Sequence, residues 1–349
     1  MNLLSQNEQS NIPHNSYKTK SRKSQSSSIK SVIATMAMLP SISSNHSEVL
    51  ITAIEMVAEP KPLLAITFAC ISLLALLANC TLLIYIIYNR LYRNFISSHF
   101  IAHLCITNAA TLCLLIPMLI YNVWTGVNIW AHSNVMCRVQ ALLTCATWTV
   151  IHFMALCIAG VHLLTFARIH YEQLFGLSPN MLCVLSWLLA FGLALPTITN
   201  GHIIIYDPSF RHCIWGDSDS GLKFLTYLLI LGVFIPASLA SYAYIRVLGI
   251  LYHSPIVFQS IGLYKSRFLV YSFLFSPFYQ LPFYAISIVK DWRKPDSTVP
   301  VVMLFLAFMQ CFISPGLYGA SLFLMKEEDM ALTARAHKAP NAHPLTQHL

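Results

Sequence analysis

Residues 62–88 read PLLAITFACISLLALLANCTLLIYIIY, an apolar run without a charged side chain. A helix needs about 20 apolar residues to cross a bilayer, so this run is long enough to span one. Outward along the chain, further long apolar stretches follow at 96–120, 138–166, 180–201, 222–250, 268–289 and 300–324. Hydrophobic residues make up 56% of the 349 residues and charged residues 10%, where a soluble domain carries about 25% charged. The expected fold is therefore an all-α membrane protein. It is a seven-transmembrane helix bundle over 62–325, with a polar N-tail (1–61) and a short C-tail (326–349).

The thirteen acidic residues fall in tails, loops or helix ends, never deep in a predicted span. Carboxylates inside a membrane mark ion paths and proton relays, so their absence argues against a proton-coupled transporter or an aspartyl intramembrane protease. The net charge of +8 needs no nucleic acid to explain it. Lys18, Lys20, Arg22, Lys23 and Lys30 supply five of those charges from a solvated, disordered tail.

With the N-terminus outside and the C-terminus inside, the inner set is Arg90, Arg93, Arg168, Arg246, Lys265, Arg267, Lys326, Arg335 and Lys338. The outer set is Arg138, Arg211, Lys223, Lys290, Arg293 and Lys294. Nine against six follows the positive-inside tendency. The sequon Asn45-His46-Ser47 would then be a glycosylation site on the outside, whereas Asn79-Cys80-Thr81 lies within a span. Residues 32–40 (VIATMAMLP) resemble a secretory signal core but begin late in the chain. Met36 and Met38 are alternative starts. Eight of the ten cysteines sit in apolar stretches, where a buried thiol is the ordinary reading. Cys137, at the start of the third stretch, and Cys213, in the polar loop after the fourth, both face an oxidising compartment in this orientation. A disulfide between them is expected.

Single markers recur at characteristic depths. They are Asn79, Leu104-Cys105-Ile106-Thr107-Asn108, Trp187 with Pro196, and Phe234-Ile235-Pro236 with Tyr244. Further along come Tyr279-Gln280-Leu281-Pro282-Phe283-Tyr284 and Ser314-Pro315-Gly316-Leu317-Tyr318, and Trp130 stands seven residues before Cys137. Together they resemble the rhodopsin-like (class A) family of G-protein-coupled receptors. The loop phrase Ile205-Tyr206-Asp207-Pro208-Ser209-Phe210-Arg211-His212-Cys213 is similar to that of melatonin receptors and of related insect receptors of the Moody type. Where melatonin receptors place a ligand-binding Asn and His, this chain has Thr197 and Gly232, so that ligand is not carried over.

The resemblance implies a plasma-membrane receptor, with no enzymatic activity and no cofactor, set among membrane lipids and signalling through a heterotrimeric G protein. Asn79 and Trp187 would be structural. Asn108, His152, His162, Pro236, Tyr244, Ser276, Pro282, Ser314, Pro315 and Tyr318 fall where the family's switch and coupling residues stand. The departures are chemical. Asn108 replaces an aspartate that binds sodium, and a neutral amide is a poor substitute, so no metal site is expected. Val161-His162-Leu163 replaces Asp-Arg-Tyr, exchanging an always-charged five-donor guanidinium for a shorter, mostly neutral ring. Loss of that arginine keeps open a second reading, a non-signalling pseudo-receptor acting as decoy or partner.

By the same resemblance Thr144, Trp148, Gln280, Phe283, Tyr284 and Phe308 line an upper pocket. It would suit a neutral, lipophilic ligand or a peptide, since Thr144 replaces the amine-binding aspartate and residues 300–324 hold no lysine for retinal. Trp148 is expected to donate its N–H to Gln280, joining His152 and Ser276 in one polar cluster. The third outer loop, Lys290-Asp291-Trp292-Arg293-Lys294, offers charge to an acidic partner or forms a solvated rim. A remote alternative is an intramembrane zinc hydrolase using His99, His103 and His162, for which no embedded carboxylate stands ready.

Overall fold

The computed structural model describes residues 58–338 except 168, 170, 172–175, 254–261, 290, 292 and 295. For 262–266, 277 and 327–338 it describes the backbone alone. The sequon at Asn45, the basic run and the apolar run at 32–40 lie outside the described residues. So do most of the loop between the fifth and sixth stretches and the end of the C-tail.

The first apolar run forms α1 (Pro62–Tyr88), with a proline at its first turn, where a missing N–H costs nothing. Its buried residues are Ala65, Phe68, Ser72, Ala75, Asn79, Leu82 and Ile86, alternating in steps of three and four along one helical face. The remaining surface is apolar yet exposed, as at Leu63, Leu74, Leu77 and Ile84. A helix apolar all round and buried on one side only suits lipid on the other.

Then come α2 (Ser97–Thr125) and α3 (Asn134–Ala167), followed by α4 (Pro179–Thr199). The hairpin strands β1 (Ile204–Asp207) and β2 (His212–Trp215) lead into α5 (Asp219–His253). Next are α6 (Gly262–Phe275) and α7 (Leu281–Ile288), and last α8, whose apolar part runs Val299–Lys326. Among the described residues six helices, α1–α5 and α8, are long and apolar enough to cross a membrane. The chain is thus a mainly helical, multi-pass membrane protein.

The predicted stretch at 268–289 differs from its fellows. It is three pieces in series: α6, a tight 3₁₀ segment (Ser276–Gln280), and α7. Pro277 and Pro282 explain the interruption, since each removes an N–H and crowds the preceding turn. Proline also breaks α4 at Pro196. In α5 the wide π turn at Leu228–Phe234 stands directly before Ile235-Pro236.

α3 sits centrally, packed on α2, α4 and α5, while α8 closes against α1, α2 and α6. The segment entering α1 is pinned to the end of α2. Ala58 N–H donates to the Gly126 carbonyl (3.0 Å) and Lys61 N–H to that of Val123 (2.9 Å). Gly126 has φ +75°, and a Cβ there would lie 2.0 Å from the Ala58 oxygen, so only glycine fits this junction.

Candidate functional site

The Cys137–Cys213 disulfide is present, with Cα atoms 5.5 Å apart. It ties β2 to the start of α3 and thereby fixes what lies above the bundle at that end. The strands pair antiparallel, Ile204 opposite Trp215 and Asp207 opposite His212. Their turn is built by Asp207, whose Oδ1 accepts from Ser209 N–H (2.8 Å) and Ser209 Oγ (2.5 Å). Arg211 takes the left-handed conformation (φ 56°) and is wholly buried. Its guanidinium donates to the Val123 (2.9 Å) and Glu59 carbonyls, and its own carbonyl accepts from Asn122 Nδ2 (3.0 Å).

Below the turn, the hairpin enters the bundle. His212 is fully buried. The Gln140 amide Nε2 lies 3.0 Å from its Nδ1, and Thr144 Oγ1 lies 3.1 Å from its Nε2. Thr144 also donates to the Gln140 carbonyl (2.9 Å). The amide N–H therefore donates to Nδ1, and Nε2–H donates to the Thr144 hydroxyl. Burial pulls the imidazole pKa down to about 4, so the ring is neutral at ordinary pH. Trp215 stacks on Tyr284 at 5.8 Å and meets Phe283 edge-on at 5.6 Å, and Phe210 also packs on Phe283 (5.3 Å).

All six predicted pocket residues are brought together. Trp148 contacts Phe283, Tyr284 and Phe308 with centroids 5.2–6.2 Å apart, Gln280 touches Tyr284, and Thr144 holds His212. They meet as a packed cluster rather than an open cup, each at most 3% exposed. The chain's own Phe210, His212 and Trp215 occupy the space above. Sequence reasoning missed these three and Gln140. The signal lay in the loop phrase itself, where Phe210 and His212 directly precede the tethering Cys213.

The expected hydrogen bond from Trp148 to Gln280 is not formed. Trp148 Nε1 has no partner, and Gln280 Oε1 instead accepts a long bond from the Tyr284 hydroxyl (3.5 Å). Two of the other expected members each make a bond along their own segment. His152 Nδ1 donates to the Trp148 carbonyl one turn back (2.8 Å), and Ser276 Oγ donates to that of Phe273 (3.1 Å). The cause is geometric, because a helical carbonyl one turn away is always within reach of a short polar side chain. Three donors and one acceptor remain buried and unpaired around Tyr284 and His212: Trp148 Nε1, Trp215 Nε1, Gln280 Nε2 and Gln140 Oε1.

Arg293 does not stand free on a rim. Its side chain is 8% exposed and reaches Asp217 Oδ1 at 2.8 Å and Asp207 Oδ2 at 3.6 Å. The segment after α7 is thereby clamped to the hairpin. Lys290 and Trp292 are outside the described residues.

Deeper in the bundle Asn108 Nδ2 donates to Asn79 Oδ1 (3.0 Å) and to Ser314 Oγ (2.7 Å). Asn79 Nδ2 in turn donates to the carbonyls of Ala75 and Cys311, tying α1, α2 and α8 together. Pro315 lies within α8, Pro282 opens α7 and Pro236 follows the π turn. Trp187 stacks on Phe191 within α4. At the end away from the disulfide, His162 Nδ1 lies 3.5 Å from the Tyr244 hydroxyl. Phe273 stacks between Tyr244 (5.2 Å) and Tyr318 (5.0 Å), so the two tyrosines flank a ring rather than each other. His99 is engaged by Asn180 and the Tyr92 carbonyl. Among the described residues no three His, Cys, Asp or Glu side chains converge as a metal site would need. Gly232 explains itself sterically, since a Cβ there would lie 2.9 Å from Thr149 Oγ1.

No family model matches the chain, and no curated protein matches it.

Proposed function

We propose that the chain is a divergent rhodopsin-like receptor of the plasma membrane, with the disulfide end outside. In this reading α6, the 3₁₀ segment and α7 together make a seventh crossing. Their 27 residues, Gly262–Ile288, would rise about 40 Å as helix, enough for a hydrocarbon core of about 30 Å. Ligand recognition falls to the aromatic cluster around Trp148, Phe283 and Tyr284, and suits a neutral lipophile or a peptide. The opposite end, with His162, Tyr244 and Tyr318, would meet a heterotrimeric G protein.

The observation that carries this reading is the disulfide-tethered hairpin seated on the aromatic cluster. A membrane enzyme would need reactive groups there, and a transporter would need a polar path. The site instead offers apolar rings and unpaired hydrogen-bonding groups, the composition of a small-molecule recognition site. His162, standing where the family has arginine, favours the second reading, a seven-helix pseudo-receptor that binds without coupling.

The test is constitutive signalling across the major G-protein classes, native chain beside His162→Arg at matched surface expression. Signal from the native chain supports the receptor. Signal from the Arg variant alone moves the protein to the pseudo-receptor reading. Silence from both, with an N-terminal tag inaccessible on unpermeabilised cells, rejects the proposal.

A further inference from the structure

A small cleft, with a volume of about 50 Å³, lies at the end of the bundle away from the disulfide. It is lined by His162 and Phe166 of α3, Leu269, Val270 and Phe273 of α6, and Leu324 of α8. Among the described residues its lining carries no charged side chain, and its one hydroxyl, Ser321 Oγ, is already committed to the Tyr318 carbonyl at 2.9 Å. His162 is the exception in this apolar wall. It is 6% exposed, and its ring packs 5.8 Å from Phe273. One nitrogen is turned to Tyr244, and the other, Nε2, has no hydrogen-bond partner. Buried polar atoms are rarely left unpaired in a native fold.

We propose that this cleft binds an uncharged lipophile whose single hydroxyl group pairs with His162 Nε2. The chemistry of the wall selects that class. Against the described rings and methyl groups an ionised ligand would be stripped of water without a counter-charge among them. A pure hydrocarbon would leave Nε2 unpaired, as would the apolar face of a partner's helix. A hydroxyl both donates and accepts, so it satisfies Nε2 in either tautomer that the Tyr244 contact allows. The proposal concerns the end opposite the hairpin and does not depend on whether the protein signals.

The experiment uses the full chain in lipid nanodiscs, loaded with 1-decanol or with 1-chlorodecane at equal mole fraction. The two probes share a chain and differ in the hydroxyl. The thermal midpoint of the native protein should rise with decanol by roughly 3 °C more than with the chloride. His162→Phe should remove that difference, and Leu269→Trp, which fills the cleft while keeping the histidine, should remove it too. The second variant carries the test if the first fails to fold. Equal shifts in the native protein overturn the proposal and leave the cleft to a protein's apolar segment. A difference that persists in both variants overturns it as well, because the alcohol then acts elsewhere.

Discussion

Acidification should unseat the hairpin through His212. The ring is fully buried, its neighbours are Gln140, Thr144 and Phe308, and none of them is a base. The carboxylate opposite it in the ladder, Asp207, is taken up by Ser209 and Arg293. Arg211 is adjacent in sequence and like-charged. Turning the Gln140 amide over could present its free Oε1 to a new Nδ1–H, yet the cation would still lack a counter-charge.

Burial holds the folded value at about 4 against an ordinary 6.5. The folded value lies below the unfolded one. The released ring therefore binds the proton first, and stability is complete above about pH 6.5 and lost as pH falls toward 4. Linkage gives a loss on the order of 1 kcal/mol between pH 7.5 and 5.5, approaching roughly 3 kcal/mol below pH 4. The assay is thermal unfolding of the purified chain at pH 7.5, 6.5 and 5.5, native against His212→Asn. Groups such as His152 and His162 are common to both proteins and cancel. If His212→Asn falls with pH as steeply as the native chain, the ring is not the titrating group and the reasoning fails.

Installing the aspartate that the resembled receptors carry at position 108 should harm this chain. Asn108→Asp loses the two N–H donations to Asn79 and Ser314 and sets a carboxylate against Asn79 Oδ1. Asn79 cannot turn its amide without giving up Ala75 and Cys311. A loss of about 2–4 kcal/mol in unfolding free energy is expected, and an unchanged midpoint would show that the network reorganises. Gln280→Leu removes an amide whose Nε2 is unpaired and should stabilise the unliganded protein by roughly 1 kcal/mol, read as a raised midpoint. A clear destabilisation would mean that ordered water or ligand already satisfies the amide. Cys137→Ser opens a loop with a sequence separation of 76. The chain-entropy relation gives up to about 4.5 kcal/mol for such a closure, and Cys213→Ser should match it, since either change breaks the same bond. Unequal losses measured by denaturation would point to a separate role for one thiol.

The helices were legible because lipid imposes a simple rule: any crossing must be long and apolar, and the seven stretches stood out for that reason alone. The disulfide was legible because only two cysteines lay outside the apolar stretches. The interruption at 276–280 was half legible. Pro277 and Pro282 were visible, but a proline in a membrane helix can kink, widen or break it. Which occurs depends on whether neighbours satisfy the freed carbonyls. Trp148, Phe283 and Tyr284 were placed together by the receptor resemblance, which sets their positions along the apolar stretches side by side. The hairpin's insertion was not legible, because a loop's path depends on a turn pinned by Arg211 to carbonyls of residues far away in sequence. Arg293 was misjudged for a similar cause. A loop arginine reads as solvated until the two aspartates that receive it, Asp207 and Asp217, are placed beside it.

The hairpin also constrains how any ligand reaches the aromatic cluster. β2 is buried at all four positions, tethered covalently at Cys213 and bonded through His212, whereas β1 is buried only at its two ends. Lifting β2 would expose Trp215 and His212 together and strain against the disulfide. Lifting β1 breaks the short ladder and the distant Arg293–Asp207 contact at 3.6 Å, while Asp217 keeps its closer hold on the same guanidinium. The less costly opening is therefore on the β1 side, next to the exposed Ile205. A ligand entering there would meet Phe210 first and then the unpaired groups around Tyr284. It gains affinity by pairing those groups and by burying apolar surface, and it loses what the hairpin gives up. Rings alone would replace like with like, so the surplus must come from hydrogen bonds to Trp148, Trp215 and Gln280, three donors. A ligand that binds tightly should consequently present acceptors on an aromatic or aliphatic frame.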